Sequence, residues 1–465
     1  MSRITVLVAL LVFLGSGAVF YDRAARVGYN TDEGQAIWPS QYFQFVFLEG
    51  QVSGPVWQEN YWTLTQVPVY RYIIGAGIWL TGNSFLPLDL DFRRDEVSGP
   101  DRAKYFDPAT YRDERKLAEQ RRTPRPSAEA LWGARLPMVV LGAGTAAMLF
   151  VLTAELAGGL FGPALGALAG VVAAITFVAA PFVLTLLPRA HTEAPFLFFL
   201  VLALWLSVRA AARRSLTFGA LAGLAAGLSA GSKLTGVLAL AALGGFAAGA
   251  FVLAWLARRP SFREHVGPRA LLERAWRWSA VAAVVGLLVF VAVDPFLWPD
   301  PVGKTREMLQ FRQQEMFGQR TLNEELATPE GTMTRLGFLL RRSTLDEPWA
   351  GRRLGVPLEG VLAVGGLVVT GWSIVRDRHR GALVGPGAVV GLWLLVLILG
   401  TAPNLGIDWD RYYLPIVTVG LAFTGVGAAG LADGVGRLVL ARRRAPTASA
   451  ATPPPLPTAS SGSAG

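Results

Sequence analysis

The chain has 465 residues, of which 52% are hydrophobic and only 16% charged, and its formal net charge is +10. Soluble proteins carry about a quarter charged residues, so this composition excludes a water-soluble globular chain and points to membrane spans, whose backbone polar groups are satisfied within each helix. The absence of cysteine excludes a disulfide framework and any thiolate nucleophile or ligand. The basic excess flanks apolar runs, which reads as membrane topology rather than nucleic-acid binding.

Taken in chain order, apolar runs predict an all-α polytopic membrane protein with about ten transmembrane helices. They fall at residues 4–20, 131–154, 165–187, 194–211, 218–230, 234–256, 280–293, 356–375, 384–401 and 412–431. The run at 218–230 is short and glycine-rich. Arg3, the pair Arg213 and Arg214, the stretch from Arg258 to Arg277, Arg376 to Arg380 and Arg442 to Arg444 all fall on one side if the spans alternate. Arginine near span ends marks the cytoplasmic side, which sets both termini inside a multi-pass plasma membrane protein. The basic loop 301–353 departs from this bias, as long loops do. The first run also fits a signal peptide, but its removal would leave an odd number of spans.

Between the first two spans, residues 35–79 are rich in tryptophan, tyrosine and phenylalanine, which predicts amphipathic helices lying in the membrane interface. Residues 83–127 are polar and read as an insertion in the same outer loop. Residues 1–435 form one transmembrane domain, with 301–353 as a further outer loop. Residues 436–465, rich in proline, alanine, serine and threonine, read as a disordered cytoplasmic tail.

On this topology several ionisable residues gather at the outer ends of the spans: Asp32 and Glu33, His191 and Glu193, Lys233, Asp294, and Asp408 with Asp410 and Arg411. Charges at such positions are costly to desolvate and mark function when several converge. Asp32 and Glu33 read either as an interfacial acidic pair or as a general base whose pKa is raised by an apolar surface. His191 and Glu193 read as capping residues, or as a pair that a turn would aim at a divalent cation. Lysine occurs only at 104, 116, 233 and 304, so Lys233 in a long apolar run is either snorkelling or partnered by phosphate. Arg411 offers a second cation with planar donors suited to phosphate oxygens.

These motifs resemble the GT-C glycosyltransferases, namely the bacterial relatives of protein O-mannosyltransferases and of the aminoarabinose transferase that acts on lipid A. The resemblance rests on Thr31-Asp32-Glu33-Gly34 after the first span and on Arg189-Ala190-His191-Thr192-Glu193-Ala194-Pro195. The glycine-rich stretch ending in Gly231-Ser232-Lys233, and Asp410-Arg411-Tyr412-Tyr413-Leu414-Pro415, complete it. It implies a transmembrane catalytic domain that moves a sugar from a polyprenyl-phosphate carrier to a protein, lipid or glycan acceptor on the outer side, with inversion. Asp32 with Glu33 would be catalytic, and Lys233, Arg411 and Arg71 would bind the donor phosphate. His191 and Glu193 would form a second acidic position able to take magnesium or manganese, with no cofactor certain. Gln66, Asp410, Tyr412 and Tyr413 would contact sugar or acceptor. The family's basic residue in the first loop is replaced by Gln66-Val67-Pro68-Val69, with Arg71 as the expected substitute. A secondary transporter, or a lipid-linked polysaccharide ligase or polymerase, is the rival reading. Transporters place charges near mid-membrane in two similar halves, whereas here they gather at one face.

Overall fold

The computed structural model describes residues 2–92, 124–259, 261, 262, 265, 268–322, 324–346 and 357–444. Among these the molecule is helical throughout, and the β pairing consists of a single bridge between Ala327 and Ile407.

The first span is α1 (Arg3–Arg26), capped by the Ser2 hydroxyl on the Thr5 amide at 3.1 Å. Twenty-four residues at 1.5 Å each give about 36 Å, enough to cross a bilayer. The segment expected on the outer side follows as α2 (Thr31–Ile37), three short helical turns, α3 (Tyr61–Thr65) and α4 (Val69–Leu80). Then come α5 (Ala128–Phe161), α6 (Pro163–Ala179), α7 (Pro181–Leu186), α8 (Glu193–Arg213), α9 (Leu216–Ser232), α10 (Val237–Leu256) and α11 (Arg269–Ala292). The second outer segment holds α12 (Pro301–Leu322) and α13 (Thr332–Arg341), before α14 (Leu358–Arg376), α15 (Pro386–Thr401) and α16 (Asp410–Arg444) close the bundle.

Each of the ten expected runs is helical, and eight helices are long and apolar enough to cross a membrane. The other two are α6 and α9, of 17 residues each. The run 165–187 is not one helix: the chain leaves helical geometry at Ala180, and Pro181, lacking an amide hydrogen, starts α7. α5 and α6 form a tight hairpin because Gly162 adopts φ 94°, a conformation other residues resist, and Pro163 opens the next helix. α16 continues through residues 436–444, where the tail was expected to begin. Most of the insertion at 83–127, and residues 445–465, lie outside the described residues.

Helix packing is set by small residues. A Cβ added at Gly219 or Gly227 of α9 would come within 2.5 Å and 2.6 Å of the carbonyl oxygens of Trp278 and Gly286, and one at Gly223 would meet that of Ala282. The α9 and α11 backbones therefore touch, as close membrane helices do. Outward faces stay apolar: Leu7, Leu11 and Leu14 of α1 and Val368 and Trp372 of α14 are all more than half exposed, the face lipid would cover.

The aromatic residues of 35–79 differ from expectation. Trp38, Tyr42, Trp57, Tyr61, Trp62 and Tyr70 are buried and only Phe47 and Trp79 are half or more exposed. They pack on one another, with the Trp62 and Phe92 rings stacked at 4.9 Å and Trp38 edge-on to Trp62 at 5.3 Å. These rings are continuous with the core of the bundle, which fixes α2 and α4 at its end.

Candidate active site

Asp32 and Glu33 sit in the first turn of α2, whose entry is a capping box. The Asn30 side chain accepts from the Asp32 amide at 3.0 Å and Glu33 Oε2 accepts from the Asn30 amide at 3.2 Å. Neighbours in sequence, they point to different tasks. Glu33 is wholly buried, with Arg135 of α5 donating to both its oxygens at 2.8 Å and 2.6 Å and the Ala190 amide adding a third bond at 3.0 Å. Arg135 spends its other donors on the Ala24, Val27 and Gly28 carbonyls that end α1. Burial pushes the Glu33 carboxyl up, but the Arg135 bonds and charge and the Ala190 amide hold it below the ordinary value. Glu33, expected beside Asp32 as a catalytic group, is thus a clasp joining α1, α2, α5 and the turn before α8. A carboxylate so committed has no lone pair to spare for catalysis.

Asp32 remains open, its side chain 47% exposed. Its Oδ2 accepts from Arg411 Nη2 at 2.7 Å. Arg411, in the first turn of α16, also brings Nε to 3.9 Å from Glu193 Oε1. The same oxygen accepts from Lys233 Nζ at 3.1 Å. Glu193, buried at the first position of α8, receives the Thr192 hydroxyl on Oε2 at 3.3 Å, with His191 Nδ1 3.7 Å away. Lys233 is placed by the end of α9, where the backbone turns extended at φ −154° and its amide still bonds the Ser229 carbonyl. Its ammonium lies over the Phe196 and Tyr412 rings at 5.7 Å and 6.0 Å.

Electrostatics follow from these contacts. Desolvation alone pushes the Asp32 carboxyl up, as expected from the sequence, yet the Arg411 guanidinium and His191 outweigh it and leave the group below its ordinary value. The expectation of a raised pKa is corrected by a partner 379 positions away in sequence. Burial drives the His191 imidazole down despite the neighbouring carboxylates, so it is neutral at pH 7. Burial likewise lowers the Lys233 ammonium, against the pull of Glu193.

Lys233 and Arg411 line a cavity of about 250 Å3 together with Gln66, Thr192, Tyr412 and Arg312. Apolar side chains complete the lining, among them Leu238 of α10, Leu309 and Met316 of α12, and Leu405. The Gln66 Oε1 and Tyr412 hydroxyl are buried without a hydrogen-bond partner, which is unusual in a folded interior. Gln66 and Tyr412 thus face this hollow.

Arg71 does not reach it. Its guanidinium donates to the Trp62 carbonyl at 2.8 Å and the Tyr70 hydroxyl at 3.0 Å, and lies 5.4 Å over the Tyr42 ring. The expected substitute for the missing basic residue is therefore part of the aromatic core. Arg312 of α12, paired with Glu315, takes the place at the cavity wall. The signal for it lay in the basic loop that broke the charge bias. Asp410 and Tyr413 also point elsewhere: Asp410 faces Arg342 at 3.7 Å, and the Tyr413 hydroxyl donates to Asp408 at 2.8 Å, with Arg342 donating to Asp408 at 3.0 Å. Asp294 caps the Phe296 amide at 3.2 Å in a buried position that raises its pKa to about 7.

The donor set does not fit a resident divalent cation. Among the described residues no three acidic or histidine side chains cluster as ligands. Glu193 already faces Lys233 and Arg411, and a divalent ion there would be repelled by two fixed cations.

Residues 128–293 match a family model described as dolichyl-phosphate-mannose-protein mannosyltransferase. That stretch contains Arg135, His191, Glu193 and Lys233, and excludes Asp32 and Arg411. No curated protein matches the chain. Among solved structures, the archaeal oligosaccharyltransferase AglB from Archaeoglobus fulgidus, in complex with an inhibitory peptide and a dolichol-phosphate, superposes with TM-score 0.53 at 11% identity, covering 95% of this chain and 52% of that one. An Archaeoglobus fulgidus oligosaccharyltransferase in complex with zinc and sulfate gives 0.52 at 12% identity, over 93% and 51%. ArnT from Cupriavidus metallidurans bound to undecaprenyl phosphate superposes less closely, at 0.43 and 16% identity over 95% and 63%. The chain spans about half the length of the archaeal proteins, and at these identities the likeness is one of fold.

Proposed function

The chain has the fold of the GT-C superfamily, and from that premise we propose that it is a membrane glycosyltransferase taking a sugar from a polyprenyl-phosphate donor to an acceptor hydroxyl at the outer face. The observation that carries this reading is the run of contacts from Asp32 to Arg411 to Glu193 to Lys233, each within 4 Å, of which Arg411 and Lys233 line a cavity with both cationic and apolar walls. The cations suit a phosphate and the apolar side chains the first isoprene units behind it.

In the reaction the acceptor oxygen attacks the anomeric carbon, Asp32 takes the hydroxyl proton, and the bond from that carbon to the phosphate oxygen breaks. Attack from the face opposite the leaving group inverts the anomeric centre. The leaving phosphate gains charge as the bond opens, and Lys233, Arg411 and Arg312 are the donors that answer it. Arg411 occupies Asp32 in the resting site. An incoming phosphate competes for that guanidinium and, by drawing it away, frees the carboxylate to act as base. Gln66 and Tyr412 supply unpaired polar atoms for sugar hydroxyls.

Incubation of the purified protein with a radiolabelled polyprenyl-phosphate sugar and candidate protein, lipid and glycan acceptors tests the reading. Transfer by the native chain, lost in Asp32→Asn with thermal stability kept, supports it. Ion-driven uptake in liposomes without any transfer would replace it with a carrier.

A further inference from the structure

A second cavity, of about 240 Å3, opens where the end of α8, the start of α11 and the turn between α14 and α15 meet. α8 begins at Glu193 in the first site and ends beside this one, a length of 21 residues or about 30 Å. α15 likewise reaches from Pro386 here to Thr401 at the first cavity. The two hollows therefore lie at opposite ends of the bundle.

Leu271, Ala275, Trp278 and Val384 supply apolar wall, and Arg214 and Arg380 the polar part. Both arginines are exposed, and neither guanidinium makes an ion pair among the described residues. The nearby carboxylates have other arginines as their ion-pair partners, Asp377 with Arg376 at 3.0 Å and Glu273 with Arg269 at 2.7 Å, although the Asp377 charge is also felt by Arg380. Among the described residues, Arg214 is the one non-glycine residue with positive φ, 55°. An arginine held in that conformation is strained where glycine or asparagine would not be. The surrounding surface is also basic, with Arg213, Arg274, Arg277 and Arg378 on the same helix ends and turns. A basic bundle end of this kind faces the cytoplasm, where the leaflet carries anionic lipid.

We propose that this cavity binds the phosphate of an anionic phospholipid headgroup through Arg214 and Arg380, with the lipid's first methylenes against Leu271 and Val384. The half-apolar wall at the level where the spans end favours a lipid-borne phosphate over a soluble one. Bound there, the lipid ties α8, α11 and α15 together at the end remote from the reaction.

The test uses the intact protein in neutral detergent, titrated separately with phosphatidylglycerol, phosphatidylcholine and inorganic phosphate, with melting temperature and lipid retained in native mass spectrometry as readouts. Phosphatidylglycerol should raise the melting temperature and be retained. Its apparent affinity should fall about thirty-fold in the double variant Arg214→Asn and Arg380→Gln, and about five-fold in Arg380→Gln alone. Asparagine keeps the left-handed backbone at 214, and the single variant serves if the double one fails to fold. Arg437→Gln, at an exposed arginine elsewhere, should leave the affinity unchanged. An equal response to phosphatidylcholine, or unchanged affinity in the variants, overturns the site. A variant-sensitive response to inorganic phosphate without one to phosphatidylglycerol overturns the lipid assignment and makes a soluble phosphate the ligand.

Discussion

Asp32 and Arg411, 379 positions apart in the chain, are joined by a 2.7 Å bond between a carboxylate oxygen and a guanidinium nitrogen. One is the candidate base and the other a candidate phosphate ligand, so the two halves of the reaction share a single contact before substrate arrives.

That contact sets a pH dependence. Arg411 and His191 hold the Asp32 carboxyl below its ordinary value against the upward push of burial. A base works when ionised, so its activity is present above the pKa and lost as pH falls through it. The acid limb of kcat/KM in the native protein should lie below about pH 4. In Arg411→Gln burial is left less opposed, and the limb should move upward while the maximum also falls. The position of the limb is the informative quantity, measured by transfer assays across pH.

The three cavity cations should separate cleanly from Arg71. Lys233→Gln and Arg312→Gln should each reduce kcat/KM for the donor by about ten- to a hundred-fold, in line with a lost charge-assisted bond to phosphate, and each also leaves a buried carboxylate, Glu193 or Glu315, without its cation. Arg71→Gln should lower the melting temperature without a matching loss in kcat/KM, because its guanidinium is buried against the Trp62 carbonyl and two tyrosine rings. Paired kinetics and thermal melts check both.

The Glu33–Arg135 clasp predicts a stability defect. Removing one partner of a buried pair costs about 3–5 kcal/mol, so Arg135→Ala should melt well below the native protein. The Glu33 carboxyl lies below its ordinary value in the fold. Its stabilisation is therefore full above the unfolded carboxylate pKa and is lost as pH falls through the folded one. Thermal melts near neutrality and below pH 4 should show the native protein losing this increment and Glu33→Gln having little to lose.

Two glycines offer a test of packing with a built-in control. Gly223→Ala sets a methyl group against the Ala282 carbonyl and must part α9 from α11, whereas Gly244 of α10 has nothing within 4 Å of an added Cβ. Gly223→Ala should destabilise, and Gly244→Ala should be neutral or stabilise by up to about 1 kcal/mol. Yield and melting temperature of the two variants decide it.

Chelation should leave transfer intact. With Glu193 flanked by Lys233 and Arg411, the charge a divalent ion would bring is already supplied. Activity assays with and without EDTA, followed by added magnesium or manganese, measure this directly.

Asp32, Glu193, Lys233 and Arg411, which the structure brings together, stood out in the sequence because a charged residue at the end of an apolar run has a high desolvation cost to justify. The spans were visible for the same reason in reverse. Glu33 was misjudged because its neighbour Asp32 looks identical in one dimension, while the residue that separates their roles, Arg135, lies 102 positions further on. Arg71 was expected at the donor phosphate and Arg312 was not singled out within the basic loop, since nothing local tells which side the ring cluster will close over. The break before Pro181 is a proline effect that hydropathy alone passes over, and the burial of Trp38, Tyr42 and Trp62 depends on how the segment after the first span folds back, which periodicity does not encode.

The short bridge between Ala327 and Ile407 has a consequence for divergence. The strip that delivers Arg411 is stitched to the second outer segment through it, through the Thr328 hydroxyl on the Leu405 carbonyl and through Arg342 on Asp408. Insertions or deletions in that outer segment would retune where the guanidinium sits without altering one residue of the bundle. The position of Arg411 can therefore be adjusted at the periphery while the spans stay unchanged.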